Sequence, residues 1–200
     1  MRRMMLAAGW LALVPALTFA AEPAPDGATI FAASGCPSCH GAEGRKPLAA
    51  TPALAGQNAA YLERQLSEIA DGTRTNPAAK PMRPFVQKLG PDQRKMLALW
   101  LAGRDPTLPT AGDAAKVVAG AELFEDNGCV GCHGGDGLKP LADYPILAGQ
   151  RPDYLGAQMR AIRDEVRSTR RARLMVANVR MLKDDQIEQI AAFLSQVKRK

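Results

Sequence analysis

The sequence predicts an all-α protein made of two tandem, similar halves. The first observation is a repeat, since Cys36 and His40 recur 93 residues later as Cys129 and His133. The second is that apolar residues follow helical spacing in three segments of each half, while no convincing strand pattern is found. A repeat at one constant offset fixes the architecture before any element is assigned.

The two halves are separated by a short stretch rich in proline and glycine. The stretch from Gly103 to Gly112 lacks helical periodicity, which is typical of a linker. The predicted domains are therefore residues 22–102 and 113–200, joined by residues 103–112. Each half has about 80 to 90 residues, a size at which a core of side chains alone is marginal.

The first 21 residues are predicted to be a cleaved export signal. Arg2 and Arg3 precede an apolar run that extends from Met4 to Phe19 and ends in small residues. A membrane anchor is the alternative, but the run is shorter than the ~20 apolar residues that a spanning helix needs, and Pro15 interrupts it. We therefore expect a periplasmic protein in an oxidising compartment.

Three helices are predicted in each half from apolar spacing and helix-end residues. They span residues 26–33, 58–70 and 92–102 in the first half, and residues 116–125, 152–165 and 184–197 in the second. Long loops join the second helix to the last in both halves. Loops of that length inside a compact domain need a physical reason.

Both pairs of cysteines belong to the motif Cys-x-x-Cys-His, and the sequence has no other cysteine or histidine. Two thiols one helical turn apart can each form a thioether with a vinyl group of haem, which leaves the adjacent imidazole to bind the iron. We therefore predict two covalently bound haem c groups. The attachment points are Cys36, Cys39, Cys129 and Cys132, and the proximal iron ligands are His40 and His133.

Three other uses of the cysteines fit the motif less well. A structural zinc site needs four nitrogen or sulfur ligands, and each separate motif offers three. A thioredoxin-like redox pair needs no histidine and expects a strand before a helix, which is not predicted here. Disulfides within the Cys-x-x-Cys pairs would be strained and would leave the histidines unexplained.

The residue at the sixth position of each iron decides between electron transfer and catalysis, because an open position admits a substrate. Met82 and Met175 are the candidates, since each lies 42 residues after the histidine of its half. Met159 and Met181 align with other residue types in the first half, so we interpret them as packing residues. A thioether ligand raises the reduction potential and suits an electron carrier, while packing is the alternative role for Met82 and Met175.

Pro52 and Pro145 each follow the histidine of their half by twelve residues. Their carbonyl groups could accept a hydrogen bond from the free imidazole N–H, which would fix the ring and raise its basicity. A proline that only forms a turn is the alternative.

The net charge gives little support to nucleic-acid binding. The sequence has 26 basic and 20 acidic residues, a net charge of +6, and loss of Arg2 and Arg3 with the signal would leave +4. Two haems would add about four negative propionates and roughly one positive charge per oxidised porphyrin core. We therefore predict no nucleic-acid partner.

These residues resemble the class I cytochromes c, and their two-domain arrangement is similar to the cytochrome c4 family of periplasmic dihaem proteins. The resemblance covers essentially all of the chain after the signal. It implies two haem domains related by a pseudo-twofold axis, with haems close enough to exchange electrons, and contact between the first and last helices of each half. The implied contacts join Gly27 and Phe31 to Trp100, and Gly120 and Phe124 to Phe193. The resemblance depends on both Cys-x-x-Cys-His motifs, Pro52 to Gln57, Pro145 to Gln150, Tyr61, Tyr154, the segment from Asp71 to Asn76, Met82 and Met175.

The predicted function is electron transfer between redox proteins of a respiratory chain, without bond chemistry or a small-molecule substrate. The expected partners are a quinol-oxidising complex and a terminal oxidase or reductase, and peripheral membrane association is left open. One alternative is a haem subunit of a larger oxidoreductase, such as a flavocytochrome dehydrogenase. Another is a dihaem peroxidase, which needs an open iron position and is disfavoured by two equivalent methionines.

The second half departs from the family pattern after Asp164, where residues 165–170 lack the glycine and asparagine found at Gly72 and Asn76. The path of this loop is therefore an open question at the level of sequence. The loop also gathers five arginines, which form either a solvated basic face or a surface that docks an acidic partner. They are Arg163, Arg167, Arg170, Arg171 and Arg173.

Overall fold

The computed structural model describes residues 26–106, 109, 112–138 and 140–199, and the predicted export signal lies outside these ranges. All regular secondary structure in the described ranges is helical, which confirms the all-α prediction. None of the helices described is both long and apolar enough to cross a membrane.

Each half contains three longer helices and several single helical turns. The longer helices begin and end within two residues of the predicted bounds. The loops that follow the second helix are not devoid of structure, because one-turn helices interrupt them. Along the described chain the helices are α1 Gly27–Ala33, α2 Pro37–His40, α3 Ala59–Ala70, α4 Arg83–Val86, α5 Pro91–Ala102, α6 Ala114–Asp126, α7 Val130–His133, α8 Pro152–Arg163, α9 Arg170–Arg173, α10 Val176–Val179 and α11 Asp184–Gln196, with 3-10 turns at Ala42–Gly44 and Lys80–Met82.

Side-chain caps explain where the helices begin. Asp26 accepts a hydrogen bond from the Thr29 N–H and caps α1, and Asn58 caps α3 by accepting from the Tyr61 N–H. At the start of α8 a proline, Pro152, occupies the first helical position, where its missing N–H costs nothing. These local signals place the helices that carry the site.

Two separate apolar cores form, one in each half. In the first, α1 crosses α5 and the rings of Phe31 and Trp100 lie 5.2 Å apart, while in the second the rings of Phe124 and Phe193 lie 5.8 Å apart. A Cβ at position 27 would overlap the Trp100 side chain, so Gly27 permits the crossing. These predicted contacts are confirmed.

The helix contact of Gly120 differs in detail from the prediction. The atoms nearest to a Cβ built at Gly120 belong to the backbone of Gln189 and Ile190 rather than to the ring of Phe193. The backbone at Gly120 therefore lies closer to the backbone of α11 than it would if the two helices met only through side chains. Only glycine, which lacks a Cβ, permits that distance.

The loop after α8 follows the same path as its counterpart after α3. Glu165 has a φ of 54° and takes the place of Gly72, whose φ is 82°. The Arg167 N–H then donates to the Ala161 carbonyl at 2.7 Å, as the Arg74 N–H donates to that of Glu68. The backbone fold is therefore kept although the glycine is lost.

Candidate haem sites

Each Cys-x-x-Cys-His motif folds into one helical turn. The His40 N–H donates to the Cys36 carbonyl at 3.0 Å, and the His133 N–H donates to that of Cys129 at 3.0 Å. This turn places the two thiols and the imidazole of a motif on neighbouring positions of one helix. The local structure is therefore the one that double thioether attachment requires.

The imidazole rings are held by the carbonyl groups that the sequence indicated. His40 Nδ1 lies 3.0 Å from the Pro52 oxygen, and His133 Nδ1 lies 3.2 Å from the Pro145 oxygen, which confirms both contacts. A carbonyl only accepts, so Nδ1 carries the proton in each ring and Nε2 carries the free lone pair. This is the tautomer that binds a metal through Nε2.

Burial keeps both imidazoles neutral. It lowers the pKa of His40 and of His133, and the carbonyl hydrogen bonds offset this only in part. Moreover, His133 Nε2 is buried and has no hydrogen-bond partner in the described structure. Because a buried polar atom without a partner is costly, this atom indicates that a ligand belongs beside it.

The cysteines are arranged for attachment rather than for metal binding. All four are free, and Cys36, Cys129 and Cys132 are half-buried. Burial raises the pKa of the Cys36 thiol, and it raises the pKa of the Cys129 thiol to about 11, so neither is a ready thiolate. The described residues contain no group of three or more His, Cys, Asp or Glu side chains that could hold a metal ion, which gives the zinc interpretation no support.

One continuous, largely apolar cavity joins the two halves. The first half lines it with His40 and Met82, and the second half lines it with His133 and Met175. Met82 and Met175 are both half-buried and pack against the edges of their cores. The structure thus brings each histidine and its predicted partner methionine to one cavity, and iron ligation by the methionines stays a prediction.

Haem fits the residues that are present. The cavity is apolar, the thiols lie one turn from a neutral imidazole, and a buried histidine nitrogen lacks a partner. A large apolar ring system would also complete two cores that are small for domains of this size. The same cavity explains the long loops, because residues of both loops line it, Met82 and Met175 among them.

A buried polar cluster between the halves was missed at the level of sequence. The Arg74 guanidinium donates to Gln65 and Gln158 at 2.6 and 3.0 Å, and Arg167 donates to the same two oxygens, both at 2.9 Å. Burial raises the pKa of Tyr61, but Arg167 and Arg74 outweigh it and hold this pKa below its ordinary value. A positive field therefore faces the cavity. The repeat was the available signal, since Gln65 and Gln158, and Arg74 and Arg167, are also 93 residues apart.

Two glutamines join the halves by reciprocal hydrogen bonds. Gln150 accepts from the Ala53 N–H at 2.8 Å and donates to the Ala53 carbonyl at 2.9 Å. Gln57 makes the same pair of bonds with Ile146, at 2.7 and 2.8 Å. Arg199 adds a third tie, because its buried guanidinium donates to carbonyl groups of both halves.

The five arginines of the second-half loop differ in their intramolecular partners. Arg163 pairs with Asp164 and Asp184, Arg167 belongs to the buried cluster, and Arg171 pairs with Asp143. Three of the five therefore have intramolecular partners, and docking of an acidic partner by this loop stays a prediction. The exposed members without an ion pair in the described structure are Arg170 and Arg173.

The family model for cytochrome c matches the chain twice, over residues 24–104 and 117–198. The chain belongs to the cytochrome c family. Its two domains therefore carry two covalently bound haem c groups, one in each half, and the cofactor prediction is confirmed.

Relatives of this cytochrome c agree with the predicted two-domain type. It is 33% identical to a cytochrome c4 of Pseudomonas aeruginosa over 79% of this chain and 81% of the relative. The crystal structure of reduced recombinant cytochrome c4 from Pseudomonas stutzeri matches with a TM-score of 0.74 at 26% identity, covering 88% of this chain and 100% of that one. The resemblance to cytochrome c4 and the tandem fold are thereby confirmed.

Another relative has a more specific description. A protein of Stutzerimonas stutzeri described as a thiosulfate dehydrogenase electron acceptor is 36% identical over 84% of this chain and 82% of its own length. The aligned region therefore extends across both halves of this chain.

Proposed function

We propose that this chain is an exported two-haem cytochrome c that carries electrons between redox proteins. The observation that carries the proposal is that both halves place a neutral, carbonyl-bonded histidine and a methionine on the lining of one apolar cavity. Bound there, haem iron supplies one-electron chemistry between the ferrous and ferric states. The residues of this chain attach and orient the haem, and they shield its iron from substrates.

We assign the iron ligands as His40 with Met82 and His133 with Met175. A methionine in the sixth position closes the iron to substrates, so the protein performs no bond chemistry of its own. The domains are residues 22–102 and 113–200, joined by residues 103–112. Residues 1–21 direct export to the periplasm and are then removed.

The partners are other redox proteins, with a quinol-oxidising complex as donor and a terminal oxidase or reductase as acceptor. A second candidate is a dedicated electron acceptor of a dehydrogenase, which the similarity to the thiosulfate dehydrogenase electron acceptor favours. Purification from the native host distinguishes them, because a catalytic subunit would copurify in fixed ratio only in the second case.

The proposal is tested by absorption spectra of the purified holoprotein in both redox states, together with its intact mass. We expect the mass of a chain without residues 1–21 plus two haems. We also expect an absorption band of the ferric protein that reports ligation of both irons by methionine. A colourless product, or a high-spin iron in the resting protein, would contradict the proposal.

A further inference from the structure

Each histidine that binds iron is linked to the opposite half through a single peptide group. In the first half, His40 donates from Nδ1 to the Pro52 carbonyl at 3.0 Å. The N–H of that same peptide belongs to Ala53, and it donates to Gln150 Oε1, in the second half, at 2.8 Å. We call this series of two hydrogen bonds through one peptide the peptide relay.

The second half contains the same relay in the opposite direction. His133 donates to the Pro145 carbonyl at 3.2 Å, and the Ile146 N–H of that peptide donates to Gln57 Oε1 at 2.7 Å. The glutamine of each half therefore ends the relay of the other half. Both glutamines are buried, with 4% of their surface exposed, so water does not compete for these bonds.

The two hydrogen bonds of a relay reinforce each other. When a peptide N–H donates to an acceptor, its carbonyl oxygen becomes more negative and accepts more strongly, by about 10–30% per bond. When the proline carbonyl accepts more strongly from the Nδ1–H group, the imidazole becomes a more electron-rich ligand. An electron-rich ligand stabilises the ferric state and so lowers the reduction potential.

We infer that Gln150 lowers the reduction potential of the haem bound by His40, and that Gln57 lowers that of the haem bound by His133. Each half thus lowers the reduction potential of the haem in the other half, through a side chain that contacts neither ligand of that haem. The two glutamines are positioning residues that act through the peptide relay. This inference rests on the proposed function, because it presupposes iron at both histidines.

The test is the holoprotein variant Gln150→Leu, compared with Gln57→Leu. Leucine keeps the site apolar and removes the acceptor for the Ala53 N–H. We expect the potential at the His40 site to rise by a two- to threefold change in the reduction equilibrium, about 18 to 28 mV for one electron. The potential at the His133 site should stay unchanged, and Gln57→Leu should show the reverse pattern.

A second readout observes the hydrogen bond itself. The chain has two histidines, so protein labelled with ¹⁵N-histidine gives one Nδ1–H signal from each half. In the reduced state, Gln150→Leu should move the His40 Nδ1–H proton signal to higher field and leave that of His133 in place. The milder variant Gln150→Asn, whose side chain is one methylene shorter, supplies the same measurement if the leucine variant does not fold.

The control is Asn58→Ser, which removes another hydrogen bond between the halves but keeps the backbone N–H that donates to Gln57 Oε1. Asn58 donates to the Ala142 carbonyl at 2.9 Å, and serine keeps the helix cap that Asn58 provides. If the glutamines only held the halves together, Asn58→Ser and Gln150→Leu would act alike on both sites. Unchanged potentials, or equal shifts at both irons, with normal spectra would overturn the relay alone, whereas loss of thioether ligation in the wild type would overturn the proposed function.

Discussion

Arg74 and Arg167 share both of their glutamine acceptors at the interface between the halves. Gln65 Oε1 and Gln158 Oε1 each accept one hydrogen bond from each guanidinium. Neither arginine forms an ion pair with a carboxylate in the part of the chain that the structure describes. Arg74 is buried, Arg167 is half-buried, and both line the haem cavity, so the carboxylates of haem c bound there would supply the counter-charge.

The first prediction concerns this positive cluster. Arg74→Gln removes a cation from the lining of the haem cavity. The loss of this positive charge stabilises the more positive ferric state. The reduction potential should therefore fall, by about a tenfold change in the reduction equilibrium, or ~59 mV for one electron. Spectroelectrochemical titration of the holoprotein measures it.

The exposed Lys88 supplies the control for Arg74. Lys88→Gln removes the same charge at the surface, where solvent and salt screen it, so its effect should be much smaller. A potential that rises in Arg74→Gln, or falls equally in both variants, would show that the buried cluster does not face the haem carboxylates.

The second prediction concerns the methionines. Met82→Ala and Met175→Ala should each open one iron to an external ligand such as cyanide, and each should lower the potential of its own site by about a hundredfold change in equilibrium, or ~118 mV. Absorption titration counts the open sites, and we expect one in either variant.

Met181 is the matched control, because its side chain is 82% exposed and lies six residues from Met175. Met181→Ala should leave the spectrum, the potentials and the closed irons unchanged. A wild-type protein that already binds the external ligand would contradict the proposed ligation.

The third prediction concerns the strained backbone at Glu165. A residue with a Cβ is sterically strained at a φ of 54°. Gly72, at the equivalent position of the first half, has no Cβ and is not strained. Glu165→Gly should raise the free energy of unfolding by about 0.5–1 kcal/mol, because the larger flexibility of glycine in the unfolded chain offsets part of the gain.

Chemical denaturation of the two variants tests this. Glu165→Gln removes the same charge but keeps the Cβ, so it should match the wild type. If both substitutions stabilise the protein equally, charge rather than backbone strain is the cause.

The sequence predicted the parts of this fold that depend on local chemistry. Helices α1, α3 and α5 and their copies were found because apolar spacing and caps such as Asp26 and Asn58 are local signals. The 93-residue offset also predicted Met82 and Met175 as iron ligands, a role that stays a prediction. One-turn helices such as α9 and α10 were missed, since four residues are too few for a period to be recognised.

The interface was not predicted, because its contacts join residues far apart in the chain. Gln57 and Gln150 appeared in the repeat, but nothing in one half says that its glutamine bonds to the peptide of the other. Arg199 belongs to no repeated motif that would have marked it. The loop after α8 was left open because Glu165 lacks the glycine signal, although hydrogen bonds on either side impose the same path.

The last prediction concerns pH and the contact between Asp153 and the first half. Asp153 Oδ2 accepts from the Ala50 N–H at 2.8 Å and pairs with Arg151 at 2.7 Å. Burial raises the pKa of Asp153, but hydrogen bonds from Arg151, Ala50 and Tyr154 outweigh it and hold this pKa below its ordinary value. The carboxylate therefore stabilises the folded state above its unfolded pKa, and this contribution is lost as the pH falls through the folded value.

Asp153→Asn should consequently be less stable than the wild type at pH 7, by no more than about 1 kcal/mol because the pair is partly exposed. The difference should shrink as the pH falls below the ordinary range of a carboxyl group, and denaturation curves at pH 7 and pH 3 measure it. Asp185→Asn is the control, since Asp185 holds the second position of α11 as Asp153 does of α8 but has no hydrogen bond or ion pair in the described structure. A stability difference that stays constant between the two pH values would show that the charge of Asp153 does not contribute to the contact with Ala50.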